Sequence, residues 1–410
     1  MPEADSKATT ALFGWDGYSV DWVERVERLG TVQWVRVRLA PDPERVLRCS
    51  GCGGTATGVH DVAHRWVRDL PIFEANVLVR VPRCRVICPR CPGPKLEELA
   101  WLDRYSRMTR RLAQNVIRLC YVLPIQQVAD YYGLSWGSVK AAHKAHLHQE
   151  LGPVSLQGAR LLLLDEFSIQ KGHRYATVVA DAERRRVLWV GRDRSRATVR
   201  SFFRSLRAKE RRQIRAVGID MNAAFELEIQ RFCPQAAIVY DLFHVVAKYG
   251  RSVIDRVRID ETARVEAGSP HRKVLSQSKW LLLRNRSNLT PEHEVQLEEL
   301  LAVNQNLMTV YVLNEDLKQL WRHTDTKQAQ TAVAAWIRRA QASGIPALQR
   351  FARNLMTYVH GIVAHARWQL NTSVLEGINN KIKVIKRMAY GYRDDEYFFL
   401  RIRAAFPGIR

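Results

Sequence analysis

Three carboxylates and four thiols carry the chemistry open to this sequence. Asp165 closes the apolar run Leu161-Leu162-Leu163-Leu164, and Asp220 closes Ile214-Arg215-Ala216-Val217-Gly218-Ile219. A continuous apolar run is the form of a central strand buried on both faces, so each aspartate is expected at the carboxyl end of a core strand. Adjacent parallel strands present those ends side by side. Hard carboxylate oxygens placed in this way suit a pair of divalent cations in phosphoryl transfer. Asp241 ends a third run, Ala236 to Tyr240, in the setting Tyr240-Asp241-Leu242-Phe243-His244; it is either a neighbour of the site or a helix cap. In Leu375-Glu376-Gly377-Ile378-Asn379-Asn380-Lys381-Ile382-Lys383, residues Ile378, Ile382, Ile385 and Ala389 form one helical stripe and Glu376, Asn380, Lys383 and Arg387 another. The second stripe offers a carboxylate to a metal, then an amide and cations to a phosphate backbone. A generic amphipathic helix also has a charged face.

The thiols are Cys49 and Cys52, then Cys88 and Cys91, two Cys-x-x-Cys knuckles in Gly- and Pro-rich turns. Together they supply a tetrahedral set for one structural zinc ion. A pair of redox dithiols is the alternative, disfavoured because neither knuckle opens a clear helix. Cys84, His60 and His64 are spare ligands nearby. Arginines of this module, Arg83 and Arg85 among them, are candidate DNA contacts, although solvated charge has the same pattern.

Certain elements must position these groups. Tyr18 to Leu39 alternates as a small two-stranded sheet, and Val77, Val79 and Val81 mark a strand running into the second knuckle. Residues 101 to 150 read as helical. Leu112, Val116, Ile117 and Cys120 make a stripe that Pro124 breaks. Val128 and Ala129, a turn at Gly133, a cap at Ser135 and Val139 then fit a helix-turn-helix, a pattern any helical hairpin can imitate. Its second helix would offer Trp136, Ser138, Lys140 and Lys144 to a groove. After the Asp165 strand come strands from His173 to Ala180 and Arg186 to Gly191, a helix from Arg196 to Arg207, and a helix from Ala223 to Phe232. Three consecutive strands, the first bearing an acid, match the start of a ribonuclease H-like fold. Residues 245 to 365 carry helical periodicity without strands and read as an all-helical insertion.

The 410 residues are 47% hydrophobic, enough for two or three packed domains, and this excludes a disordered tail. Lys and Arg number 64 against 41 Asp and Glu, for a net charge of +23. A polyanion, usually nucleic acid, is the expected partner. The longest apolar run, Ala332 to Ile337, is too short to span a bilayer, and the first residues lack the order of a signal peptide; a cytoplasmic protein with no membrane partner is expected.

These blocks, in order, make the chain resemble bacterial insertion-sequence transposases of the Asp-Asp-Glu type with an N-terminal zinc-binding domain. The resemblance rests on the two cysteine pairs, Leu164-Asp165-Glu166-Phe167 with Lys171-Gly172-His173-Arg174-Tyr175, Gly218-Ile219-Asp220-Met221, Asp241-Leu242-Phe243-His244-Val245, and Glu376 to Lys383 followed by Lys386-Arg387 and Gly391-Tyr392. It implies an α/β ribonuclease H-like core interrupted by the helical insertion. The implied layout is a zinc ribbon over 1–98, a helix-turn-helix region over 99–155, catalytic segments over 156–244 and 366–410, and the insertion over 245–365. It also implies Asp165, Asp220 and Glu376 as catalytic ligands of two Mg²⁺ or Mn²⁺ ions, with Glu166 the rival to Asp165, and Asp241 and His244 accessory. Cys84 departs from the basic or aromatic residue expected before the second knuckle and is a possible competitor for zinc. The implied reaction frees a 3′-hydroxyl at an element end and joins it to target DNA, with at least a dimer holding the terminal repeats. A non-catalytic DNA-binding regulator and a nuclease without strand transfer are the alternatives.

Overall fold

A computed structural model describes residues 13–29, 31–170, 174–370 and 373–409. Lys171, Gly172 and His173 of the quoted motif lie outside the described residues. The chain divides into two compact units, Met1–Glu150 and Leu151–Arg410.

In the first unit β1 (Tyr18–Arg28) and β2 (Thr31–Pro41) pair antiparallel, as the alternation predicts, but they do not stand alone. β2 also pairs in parallel with β4 (Ala75–Ile87), which pairs antiparallel with β3 (Gly58–Ile72) and with β5 (Lys95–Leu96). The order is β1-β2-β4-β3, with β5 off β4. Packing explains the larger sheet: Val37 and Leu39 of β2 bury against Val77, Val79 and Val81 of β4, with Val67, Trp15, Tyr18 and Trp101. A two-stranded ribbon would leave that face wet.

Buried Asp69 ties this sheet to the helices. It accepts hydrogen bonds from Trp15 Nε1 (2.7 Å), Thr109 Oγ1 (2.6 Å) and Arg111 Nε (2.7 Å). Thr109 then caps α1 (Arg110–Cys120) by accepting from Leu112 N, so the helix starts later than residue 101. Helix α2 (Ile125–Tyr132) ends at Gly133, whose φ of 55° lies in the left-handed region, and Ser135 Oγ accepts from Ser138 N at 3.2 Å to open α3 (Trp136–Leu151). Leu112, Val116, Cys120, Val128, Ala129 and Val139 form their shared core.

The second unit is a mixed sheet of order β10-β9-β6-β7-β8. β6 (Leu161–Gln170), β7 (Arg174–Asp181) and β8 (Arg186–Arg192) meander antiparallel; β9 (Ala216–Ile219) and β10 (Ala237–Tyr240) run parallel to β6. Successive side chains of β6 take opposite faces. Leu162 and Leu164 join a core with helices α4 (Arg196–Ser205) and α6 (Ala223–Phe232), while Leu163 and Phe167 join one with α16 (Ser373–Met388) and α17 (Asp395–Ala405). Helix α4 stops two residues short of the predicted end, and a short α5 (Ala208–Gln213) follows, its Glu210 accepting from Arg207 N at 3.1 Å. In α16, Ile378, Ile382 and Ile385 are buried as predicted, whereas Ala389 lies past the helix end.

Between the sheet and α16 the described segment is helical throughout. Helix α7 (Leu242–Tyr249) passes through one π turn (Gly250–Ile254) into α8 (Asp255–Arg264). Then follow α9 (Pro270–Gln277), α10 (Lys279–Leu283), α11 (Pro291–Val303), α12 (Gln305–Gln319), α13 (Thr326–Ala342), α14 (Pro346–Met356) and α15 (Val359–Trp368). Their buried residues, including Leu307, Trp336 and Phe351, share one core with the sheet face that holds Leu162 and Leu164.

Helix α15 lies on Tyr240 at the end of β10, where a Cβ on Gly361 would stand 2.2 Å from the Tyr240 ring. Helix propensity alone favours alanine there by about 0.5–1 kcal/mol, but the overlap forces a fully buried ring to move. Gly361→Ala is therefore expected to destabilise the protein by about 1–3 kcal/mol in urea unfolding. Tyr240 immediately precedes Asp241, so the same variant should also lose activity under conditions where it stays folded.

Candidate active site and zinc centre

The register of the parallel strands brings the acids together. Leu163 of β6 faces Gly218 of β9; two residues on stand Asp165, in the middle of β6 rather than at its carboxyl end because β6 runs on to Gln170 in its pairing with β7, and Asp220, just past the end of β9 as predicted. Ile219 faces Tyr240 of β10, and the next residues are Asp220 and Asp241. Burial is the largest cause holding the Asp165 carboxyl above its ordinary range; Asp241 adds to it and His244 opposes it. Burial also raises Asp220, with His244 opposing and the charges of Asp165 and Asp241 adding. Asp165 is held from two sides, with Oδ1 accepting from Glu166 N and Oδ2 from Asn379 Nδ2, both at 2.7 Å.

Glu166 alternates to the opposite face of β6 from Asp165. Its carboxylate accepts from Asn222 Nδ2 at 2.8 Å and pairs with Arg194 at 3.5 Å. Burial raises its pKa first and the Asp220 charge second, so it feels the same cluster. Asp241 takes the helix-cap role: Oδ1 caps α7 by accepting from Phe243 N (3.0 Å), and Oδ2 lies 3.7 Å from His244 Nε2.

Glu376 occupies the first turn of α16 and is exposed. Among the described residues, the hydrogen bond from this helix to Asp165 comes from Asn379, one turn on, and none joins Glu376 to Asp165 or Asp220. Asn380, Lys383 and Arg387 line the exposed side of α16, with Lys383 Nζ donating to Asn380 Oδ1 at 3.2 Å. Sequence reasoning missed Asn379, Asn222 and Arg194. The three-residue step from Glu376 to Asn379, which keeps both on neighbouring helical positions, was a usable signal for Asn379; nothing local marks the other two.

A cation fits this cluster physically, because Asp165, Asp220 and Glu166 are all raised, chiefly by burial, and the opposing charges of His244 and Arg194 do not cancel that rise. Asn379 then acts as a positioning residue. Asn379→Ala is expected to weaken Mn²⁺ binding about 10- to 100-fold, the usual effect of removing an outer-shell partner of a ligand, measured by calorimetric titration. Wild-type affinity in the variant would give Asn379 a packing role alone.

In the first unit, Cys49, Cys52, Cys88 and Cys91 place their sulfurs within 4.8 Å of one another, the one such group of ligand side chains among the described residues. Cys52 Sγ lies 3.6 Å from Cys88 Sγ, and Gly51 N donates to Cys49 Sγ at 3.4 Å. The Cys91 thiol is pushed up to about 12, first by its hydrogen bond with Cys52, then by burial and the other thiols. Such crowding is what a soft divalent ion relieves, so the donor set fits zinc. Cys84 stands outside the quartet: it is buried, and Arg45 Nη2 donates to its sulfur at 3.3 Å. His60 instead pairs with Asp61 at 3.0 Å.

The candidate DNA contacts divide. Arg83 is corrected: it is buried and donates to the Glu97 carbonyl at 3.3 Å, so it braces the ribbon and presents no cation to solvent. Arg85 is exposed and paired with Asp61. On α3, Trp136 is exposed with Lys140 Nζ 5.2 Å from its ring centroid, while Ser138 and Lys144 are half-buried on the same helix. No helix among the described residues is long and apolar enough to cross a membrane.

Comparison with known proteins gives three adjoining matches. A family model described as a transposase of the ISL3 type matches residues 162–402. A model of the helix-turn-helix domain of transposase family ISL3 matches 97–146, and one of the zinc finger of the IS204/IS1001/IS1096/IS1165 transposases matches 45–91. The transposase for insertion sequence element IS1001 of Bordetella parapertussis is 51% identical over 404 residues, covering 98% of this chain and 99% of the relative. The transposase for IS1557 of Mycobacterium tuberculosis is 25% identical over 399 residues, covering 92% and 89%.

Proposed function

The chain belongs to the ISL3 family of transposases, and from that premise we propose that it cuts DNA at the ends of an insertion sequence and joins the freed 3′-hydroxyls to target DNA. The observation that carries this reading is the pair Asp165 and Asp220, on adjacent parallel strands in equivalent positions, both raised by burial. The core is read as ribonuclease H-like, with Glu376 on α16 completing the acidic set and Glu166 and Asp241 as its neighbours. Asp165, Asp220 and Glu376 would hold two Mg²⁺ or Mn²⁺ ions. Divalent ions in such a site supply a water of lowered pKa and stabilise charge on the transferring phosphoryl oxygens.

The chain's own residues do the rest. Asn379 fixes the Asp165 carboxylate, and Lys383 and Arg387 take the DNA backbone on the exposed side of α16. Water attacks the phosphodiester and the 3′ oxygen leaves with a proton; that hydroxyl then attacks a target phosphodiester, giving up its proton and displacing the target strand's own 3′ oxygen, which leaves as a hydroxyl. No protein nucleophile is required. The zinc ribbon (1–98) and the helix-turn-helix region (99–155) read the duplex ends, α3 offering Trp136, Ser138, Lys140 and Lys144 to a groove. The catalytic segments 156–244 and 366–410 flank the insertion 245–365. Two ends must be joined together, so a dimer or larger assembly acts on bacterial DNA in the cytoplasm.

The test is incubation of the purified protein with Mg²⁺, labelled DNA carrying the element ends, and a target plasmid. Joined products support the reading. Cleavage without joining would make the protein a nuclease, and specific binding with neither product would make it a regulator.

A further inference from the structure

The sheet of the first unit has one filled face; the other is covered at one end, where Arg68 donates to the Tyr132 and Gly133 carbonyls at 2.6 and 2.9 Å, and open beyond it. Val37, Val67, Val77, Val79 and Val81 point into the core. On the other face the strand register lays four residues in a single row: Trp22 of β1 faces Arg38 of β2, Arg38 neighbours Arg80 of β4, and Arg80 faces Trp66 of β3. Trp22 is 42% exposed and Trp66 43%. With Glu24 and Arg36 these four line a shallow cavity of about 220 Å³.

This row is costly as it stands. Like charges on neighbouring strands destabilise a sheet, and Arg38 and Arg80 are such a pair. Asp21 pairs with Arg38, and Glu24 with Arg36 at 3.2 Å, but Arg80 has no acidic partner among the described residues. Two half-exposed indoles add apolar surface in contact with water. A ligand with both an anionic backbone and planar apolar groups removes both costs. Duplex DNA keeps its base faces stacked inside, whereas an unpaired strand exposes them.

We propose that the open face of this sheet binds single-stranded DNA, Trp22 and Trp66 stacking on unpaired bases and Arg38 and Arg80 holding the phosphates between them. Strands lie about 4.8 Å apart, so three spacings separate the indole-bearing positions by about 14 Å, room for backbone phosphates over the two arginines. This row lies within the 1–98 segment but uses none of the residues assigned above to the duplex groove, and it serves DNA that has been opened.

The full-length, zinc-loaded protein is titrated into fluorescein-labelled oligothymidylate of about 12 nucleotides, within the span of known strand-binding folds, and read by fluorescence anisotropy. Trp22→Ala and Trp66→Ala are each expected to weaken binding about tenfold, and Trp66→Phe to restore most of it. Arg80→Ala is expected to lower the slope of log affinity against log salt by about 0.7, as for one phosphate contact on a single strand, without lowering the melting temperature. Affinity for duplex carrying the element end should change less than about twofold, because stacking platforms act on unpaired bases. Zinc content and circular dichroism report whether each variant is folded. Folded tryptophan variants with unchanged oligothymidylate affinity overturn the proposal, as does equal loss on duplex and single strand. A change in self-association with no change in oligothymidylate binding would assign the face to a second copy of the chain and overturn it too.

Discussion

Asp165→Asn and Asp220→Asn are each expected to abolish strand joining, by about a thousandfold or more, while binding to element-end DNA persists. Losing a ligand of the proposed phosphoryl-transfer site would remove several kcal/mol of charge stabilisation, and each 1.36 kcal/mol is tenfold in rate. Stability should move the other way. The Asp220 carboxyl sits above its ordinary range in the folded chain, chiefly through burial. A carboxyl raised on folding favours the folded state most when protonated. Its contribution is fully present below the unfolded value near 4 and is lost as pH rises through the raised folded value. Metal-free Asp220→Asn should therefore melt at or above the wild-type temperature at neutral pH, and the difference should vanish in acid. Mn²⁺ should raise the wild-type melting temperature more at pH 7.5 than near pH 5, and leave Asp220→Asn unmoved. Differential scanning fluorimetry across pH, with the joining assay, checks all three. A variant that melts lower than wild type at neutral pH would show that Asp220 is held by favourable contacts, contrary to this electrostatic account.

Removal of zinc is expected to have an effect of comparable size on the other unit. Structural zinc contributes about 10–16 kcal/mol of apparent binding energy in small finger modules at pH 7. Here it would tie β4, which leads into Cys88, to the knuckle at Cys49 and Cys52. Cys88→Ser should reduce bound zinc from one per chain to none by elemental analysis, unfold the ribbon, and cost about a hundredfold or more in affinity for element-end duplex, since DNA modules of this kind unfold without metal. The metal-free Cys91 thiol is protonated at neutral pH, its value pushed up to about 12. Zinc uptake should thus release protons, and affinity should fall as pH falls. One zinc per chain retained in Cys88→Ser would bring Cys84 back as a ligand. Retained duplex affinity in the zinc-free protein would instead move end recognition to the helix-turn-helix alone.

Much of this molecule is written in local pattern. The knuckles at Cys49 and Cys88, the turn at Gly133 with its cap at Ser135, and the apolar runs ending at Asp165 and Asp220 all depend on residues within a few positions of one another. Strand and helix periodicities of two and 3.6 make such features readable. The buried stripe of α16 was equally legible. What lay beyond reach was register and long-range contact. Nothing near Arg83 in sequence says that Glu97 will cover it, and nothing near Asp165 says that Asn379 will hold its Oδ2. Nor does any short-range signal join β2 to β4 or align Trp22, Arg38, Arg80 and Trp66 in one row. A slip of one residue between strands would turn every side chain to the other face, so register follows from how the valines of that sheet pack in the core. Residue types and spacing determined which groups can bind zinc, DNA and cations; core packing decided which of them meet.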